Sequence, residues 1–186
     1  MRQVQTMITA LTVVCIASVC LAGLVTFMLW REAGRVLDRM HVRDGMRSEG
    51  SVAKLSAAET TMAAALFGQT PGRPGAMAAQ NLTTMAFVDG SKPLTQQDQV
   101  TRRMAAAQLK HEFSDAALVH EYLETAYYGA GEYGMIRAAR SMFGKEPADL
   151  TDEEVYTLAA ILQAPALRSN PERLAQRVDA LKQKVK

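Results

Sequence analysis

From Met7 to Trp30 the chain carries no charged side chain. A helix over that run rises about 36 Å, enough to cross the roughly 30 Å hydrocarbon core of a bilayer with some tilt. Trp30 stands where an interfacial aromatic belongs, and Arg31 follows at once. The run is too long for the core of a cleaved signal and has no small-x-small exit site, so it reads as an uncleaved signal anchor. A chain of 186 residues then divides into one span and one small domain, long enough for a single core. The expected organisation is a tail over 1–6, a transmembrane anchor over 7–30, a juxtamembrane helix and linker over 31–55, and a domain over 56–186. Ala10, Ser18, Ala22 and Gly23 give the span small residues suited to packing against another membrane helix.

Composition narrows the classes. Net charge is +2, so a nucleic-acid partner is excluded on charge grounds. Aromatics make up 6% of the chain while Ala and Met are plentiful, which suits helices better than sheets. Cys15 and Cys20 both lie in the apolar run, so a disulfide framework is excluded from the rest. Val19 before Cys20 is a poor lipoprotein signal, and both thiols read as small apolar side chains. His41, His111 and His120 show no metal-ligand spacing and read as structural histidines, so no metal site is expected. Only Arg2 precedes the span, while Arg31, Arg35, Arg39, Arg43 and Arg47 follow it. By the positive-inside rule alone, the long C-terminal part would be cytoplasmic.

No strand pattern and no internal repeat stand out, and the domain reads as all-α. The span should continue as a helix to about Met46, broken by Gly45 and the run 48–51. Ser56 with Glu59 forms a capping box for a helix over Ala57 to Phe67. A loop over 68–75 leads to a helix from Ala76 to Met85, and Asp89 to Pro93 is a turn. Thr95 or Gln97 opens a helix running to about His111. Ser114 caps a helix from Asp115 to Tyr128, closed by Gly129, with an apolar stripe of Leu118, Tyr122, Leu123, Ala126 and Tyr127. Thr151 with Glu154 caps a helix from Glu153 to Gln163, ended by Pro165. Asn170-Pro171 opens the last helix, which buries Leu174, Val178, Leu181 and Val185 and places Lys182, Lys184 and Lys186 near its C-terminal dipole.

The second half carries a recognisable order: Tyr122-Leu123, Tyr127, Gly129, Gly134, Ala138, Ala139, Phe143 and Gly144-Lys145, then Leu150-Thr151, Glu154, Leu158-Ala159, Gln163-Ala164-Pro165 and Asn170-Pro171. From Gln108 to Arg173 this resembles the family 51 peptidoglycan glycosyltransferases, the transglycosylase domains of class A penicillin-binding proteins. The resemblance implies an all-α, lysozyme-like transglycosylase-type domain lying on a membrane. It implies lipid II or peptidoglycan as ligand, and a bacterial inner membrane with the C-terminal domain periplasmic, against the charge rule. It implies no cofactor beyond a divalent cation in an active member. By position it carries a substrate-binding role to Gln80, Asn81, Thr84, Arg102, Glu124, Tyr127 and Gln163. Glu124 would either accept from backbone N–H groups of the Gly-rich loop or face solvent. Tyr127, Tyr128 and Tyr133 would either stack on sugar or pack.

The first half departs from the family. Its second motif, Gly-Gly-Ser-Thr-x-Thr-Gln-Gln-Leu-x-Lys-Asn, has its counterpart in Pro74 to Met85, where only Gly75, Gln80 and Leu82 match and Thr84 replaces the diphosphate-pairing lysine. Its third, Arg-Lys-x-x-Glu, meets Asp98 to Arg102, with Arg102 in place of the second catalytic carboxylate. Its first should fall near 42–52, where the Glu-Asp pair, Phe and His are missing; His41 and Asp44 lie nearby but out of pattern. Glycosyl transfer needs a base for the attacking hydroxyl and cations for the leaving diphosphate. Glu49 and Glu59 are the candidate catalytic carboxylates if the chain is active, and Glu59 has a simpler role as a capping residue. Arg102, Arg103 and Lys110 would by themselves be a solvated helix face. Two readings result: a degenerate, membrane-anchored binding or scaffold module for glycan, lipid II or another inner-membrane protein, or a divergent active lipid II polymerase.

Overall fold

The computed structural model describes residues 2–39, 44, 46, 54–87 and 95–185. Eight α-helices are ordered along these residues: α1 (Arg2–Arg39), α2 (Ala57–Phe67), α3 (Arg73–Phe87), α4 (Gln96–Glu112), α5 (Asp115–Thr125), α6 (Met135–Phe143), α7 (Asp152–Gln163) and α8 (Pro171–Val185). Short 3-10 turns at Pro147–Asp149 and Pro165–Ser169 flank α7. Among the described residues β pairing amounts to one isolated bridge, Tyr127 to Tyr133. The expectation of an all-α domain behind one apolar helix holds. The expected break at Gly45, the turn over 89–93 and the candidate Glu49 fall outside the described residues.

The helices start where the sequence supplies a cap. Ser56, Thr95 and Thr151 each bond the N3 backbone while the N3 side chain, Glu59, Asp98 or Glu154, bonds back, so the capping boxes are complete. Ser114 caps α5 through the Ala117 N–H, and Asn170 Oδ1 accepts from the Arg173 N–H at 3.1 Å. The third helix begins at Arg73, not at Ala76. Pro74 sits in its first turn, where the missing N–H has no helical partner to lose.

The fifth helix ends at Thr125, short of the expected Tyr128. Ala126 turns extended, and its carbonyl accepts the Gly134 N–H at 3.0 Å. Tyr128 N–H donates to the Glu132 carbonyl at 2.8 Å, so backbone groups that a longer helix would satisfy are paired across the loop. Tyr127 consequently leaves the apolar stripe and stands exposed, while Tyr128 is fully buried. Gly129, rather than capping the helix, shapes the loop with φ 80°.

Two groups of helices share one core. In the first, α3 packs on α4 and α5, and α1 packs on α4. In the second, α2 and α8 pack on α7. The groups meet where α2 touches α3 and α5, and where α6 lies between α5 and α7. Val178 and Leu181 bury the inner face of α8, and Lys182 is ion-paired with Glu153 of α7.

The first helix belongs to both environments. Over Val13–Asp38 it is long and apolar enough to cross a membrane, and from Val13 to Met28 its side chains are exposed. Beyond Trp30 the same helix enters the core, with Ala33 and Leu37 fully buried. The buried Gln108 amide of α4 donates to the Trp30 carbonyl at 2.6 Å. Side-chain packing and the bond from Gln108 to Trp30 therefore dock the end of the span onto the domain.

The α3 face toward its neighbours is made small: Gly75, Ala78 and Ala79 are buried there. A Cβ at Gly75 would lie 2.2 Å from Asp115 Oδ1 and 2.8 Å from the Asp115 Cα. Since a backbone atom is among the obstructions, a rotamer change cannot relieve the clash. Gly75→Ala should lower stability by about 1–3 kcal/mol, read as a lower thermal midpoint in circular dichroism, with the helical spectrum retained at low temperature.

Candidate active site

A groove of about 460 Å3 opens between α3 and α4, lined by Gln80, Asn81, Thr83, Thr84, Arg102, Arg103 and Ala106. One turn of α3 supplies the amides and hydroxyls, and one turn of α4 supplies the guanidinium groups. Arg102 Nη1 donates to Thr84 Oγ1 at 2.8 Å. The Thr84 hydroxyl donates in turn to the Gln80 carbonyl at 2.7 Å, and the buried Thr83 hydroxyl donates to the Ala79 and Gln80 carbonyls. Asn81 hydrogen-bonds Tyr122 of α5; burial pushes the Tyr122 phenol up, and that bond only partly opposes it. Phe67 of α2 packs against the Tyr122 ring at 5.7 Å between centroids.

Electrostatically the groove is one-sided. Both titratable residues that line it, Arg102 and Arg103, are basic. The anchor of Arg102 is a neutral hydroxyl, so its charge stays uncompensated there. Such a surface can hold an anion through charge-assisted hydrogen bonds, and among its described lining residues there is no carboxylate to take a proton.

Four of the sequence-predicted residues, Gln80, Asn81, Thr84 and Arg102, are thus brought together. Sequence reasoning missed Thr83, Arg103 and Ala106 as part of the same groove. The adjacency of Arg103 to Arg102 was visible, but a solvated face explains two arginines equally well until α3 is placed beside them. Lys110, from the same helix, pairs with Asp115 instead.

The remaining predicted residues lie elsewhere. Glu59 is buried at 8% exposure and does not line the groove. Its Oε2 accepts from Ser56 N–H at 2.8 Å and Ser56 Oγ at 2.6 Å, and its Oε1 accepts from His120 Nδ1 at 2.5 Å. Burial pushes the Glu59 carboxyl up, but the hydrogen bonds from Ser56 and His120, with the charge of His120, outweigh it and hold the carboxyl below its ordinary 4.5. Both carboxylate oxygens are therefore engaged, Oε2 in the cap of α2 and Oε1 in joining α2 to α5.

Glu124 lies under the Gly-rich loop. A Cβ on Gly134 (φ 89°) would come within 2.6 Å of the Glu124 carbonyl oxygen and 3.2 Å of its Oε2. Burial pushes the Tyr128 phenol well above its usual range, aided by the charge of Glu124. Tyr127 and Tyr133 are exposed, their rings tilted against each other at 5.0 Å. Gln163 Oε1 accepts from Arg177 Nε at 3.1 Å and from its Nη2 at 2.5 Å, a clasp between α7 and α8. Arg168 ties the loop down by donating to the Gly129 carbonyl and to Ser141 Oγ.

The transglycosylase family model matches residues 75–186, more than half of the chain. The chain belongs to the transglycosylase family. Its match begins at Gly75, so it takes in both walls of the groove and leaves Glu59 outside. Over 108 residues this transglycosylase domain is 32% identical to penicillin-binding protein 2D of Bacillus subtilis, covering 50% of this chain and 16% of that protein. It is 29% identical over 131 residues to penicillin-binding protein 1C of Escherichia coli, covering 63% and 17% respectively. Against penicillin-binding protein 1A of Aquifex aeolicus it is 30% identical over 106 residues, covering 55% and 14%. The chain thus spans less than a fifth of the length of these relatives. The helical architecture is that of the lysozyme-like transglycosylases.

Glu59 gives a test by pH. Its folded pKa lies below the ordinary 4.5, so its ionisation stabilises the fold fully above 4.5, and the contribution is lost as pH falls through the folded value. Glu59→Gln should therefore be less stable than the parent at pH 7, and the gap in thermal midpoint should shrink steadily in acid below 4.5. A gap unchanged down to the acid limit would show that the charge of Glu59 is not what holds α2 to α5.

Proposed function

We propose that this protein is a membrane-anchored transglycosylase-type domain that binds a lipid-linked or polymeric peptidoglycan glycan without polymerising it. The observation that carries the reading is the composition of the groove. Arg102 occupies the position where the family resemblance places a catalytic carboxylate, and it bonds Thr84, which occupies the position of the diphosphate-pairing lysine. The two substitutions lie side by side in space, and among the described residues that line the groove they leave a cation and no base. A groove so built favours the diphosphate of lipid II as a ligand, and its described lining holds no carboxylate to deprotonate a sugar hydroxyl. Glu59 does not fill that place, because its two oxygens serve Ser56 and His120 and it lies off the groove. In this reading the domain stands on the outer face of a bacterial inner membrane, where lipid II is presented, and serves as a glycan-binding scaffold, with another membrane protein as a further partner.

The test combines polymerisation and binding. Full-length protein in detergent, given lipid II and a divalent cation beside an active family member, should make no glycan polymer. The same protein should bind lipid II, and Arg102→Ala should weaken binding about tenfold or more, as expected for losing a hydrogen bond to a charged group. Glycan polymer from the parent protein would overturn the non-catalytic reading. Equal binding by parent and Arg102→Ala would remove the groove as the ligand site.

A further inference from the structure

Where α1 passes from its exposed apolar stretch into the domain, a crevice of about 340 Å3 opens beside the first turn of α4. Leu24, Phe27 and Met28 form its apolar wall, and Arg31, Glu32 and Arg35 its charged wall. Gln97 lines it from α4. Because α1 is one unbroken helix, these walls succeed each other along its axis, apolar before Trp30 and charged after it. That succession matches the order of acyl chain and head group at a membrane surface.

We propose that this crevice is a binding site for one anionic phospholipid of the phosphatidylglycerol type. Its acyl chain would lie along Leu24, Phe27 and Met28, with the phosphodiester against Arg31 and Arg35. The proposal rests on the membrane-anchored reading above. Charge selects the occupant: two arginines stand against one glutamate, a net +1 that a singly charged phosphodiester neutralises. Glu32 is held by Arg35 at 2.9 Å, which directs its negative charge away from Arg31. The exposed Arg31 is then the cation that meets the phosphate, while the ammonium of a zwitterionic head group would meet Glu32 and Arg35 with no net gain.

Trp30 is the only tryptophan in the chain and adjoins the crevice, so its fluorescence reports on this place alone. The full chain would be placed in vesicles of phosphatidylcholine, with brominated acyl chains carried either by phosphatidylglycerol or by phosphatidylcholine at equal mole fraction. Brominated phosphatidylglycerol should quench Trp30 as if locally enriched about fivefold, and Arg31→Gln should abolish the excess. Equal quenching by the two lipids would overturn the lipid site and leave the membrane reading standing. An excess that survives Arg31→Gln would overturn the assignment of the phosphate to Arg31. No quenching by either lipid would overturn the membrane reading, and the lipid site with it.

Discussion

The close approach of α3 to α4 and α5 is the constraint on which the rest depends. It is possible because the buried side chains of α3 are mostly no larger than a methyl group, with Gly75, Ala78 and Ala79 on one helix and Ala105 and Ala106 on the next. Small residues let helix axes draw together, and the polar side chains flanking the contact are then close enough to bond across it. Arg102 reaches Thr84 for this reason, and Asn81 reaches Tyr122. The groove is the space left beside that contact, and its chemistry is decided by the few side chains that rim it.

Those side chains divide the tasks of a transglycosylase unevenly. Holding an anion needs positive charge and donors, and the groove has both in Arg102, Arg103, Gln80 and Asn81. Moving a proton needs a base within hydrogen-bond reach of the ligand, and the described lining of the groove contains no carboxylate. Of the two candidate carboxylates, Glu49 falls outside the described residues and Glu59 has partners of its own. Glu59 closes a capping box and links α2 to α5, while Glu124 sits beneath the Gly-rich loop. The loop itself is held by backbone pairing and by Arg168, so its shape does not depend on a bound ligand.

The first helix adds a mechanical condition. An exposed apolar helix that continues into a packed core cannot swing freely, because Ala33 and Leu37 would have to leave that core. The bond from Gln108 to the Trp30 carbonyl strengthens the same junction. The groove walls and the helix are therefore parts of one packed unit, since α4 carries Gln108 inward and Arg102 toward the groove.

Local chemistry made much of this legible from the residues. The pairs Ser56 with Glu59 and Thr151 with Glu154, and the step Asn170-Pro171, announce helix starts because each bond lies within one turn of chain. The uncharged run ending at Trp30 announced a helix long enough for a membrane, because hydropathy needs no tertiary partner. The counterparts of the family's second and third motifs placed Gln80, Asn81, Thr84 and Arg102 as a candidate set, with Thr84 and Arg102 standing where the resemblance expects a lysine and a carboxylate. Tertiary structure decided the rest. It ended α5 at Thr125, because Ala126 found its partner in Gly134 across a loop. It paired Glu59 with His120 and Gln163 with Arg177, contacts that no sequence period encodes. It also turned two separate substitutions into one hydrogen-bonded pair and brought in Thr83 and Arg103. Sequence by itself settled where the capped helices start and which residue types stand at the motif positions; only packing settled which of those residues face one another, because that depends on how closely α3 and α4 approach.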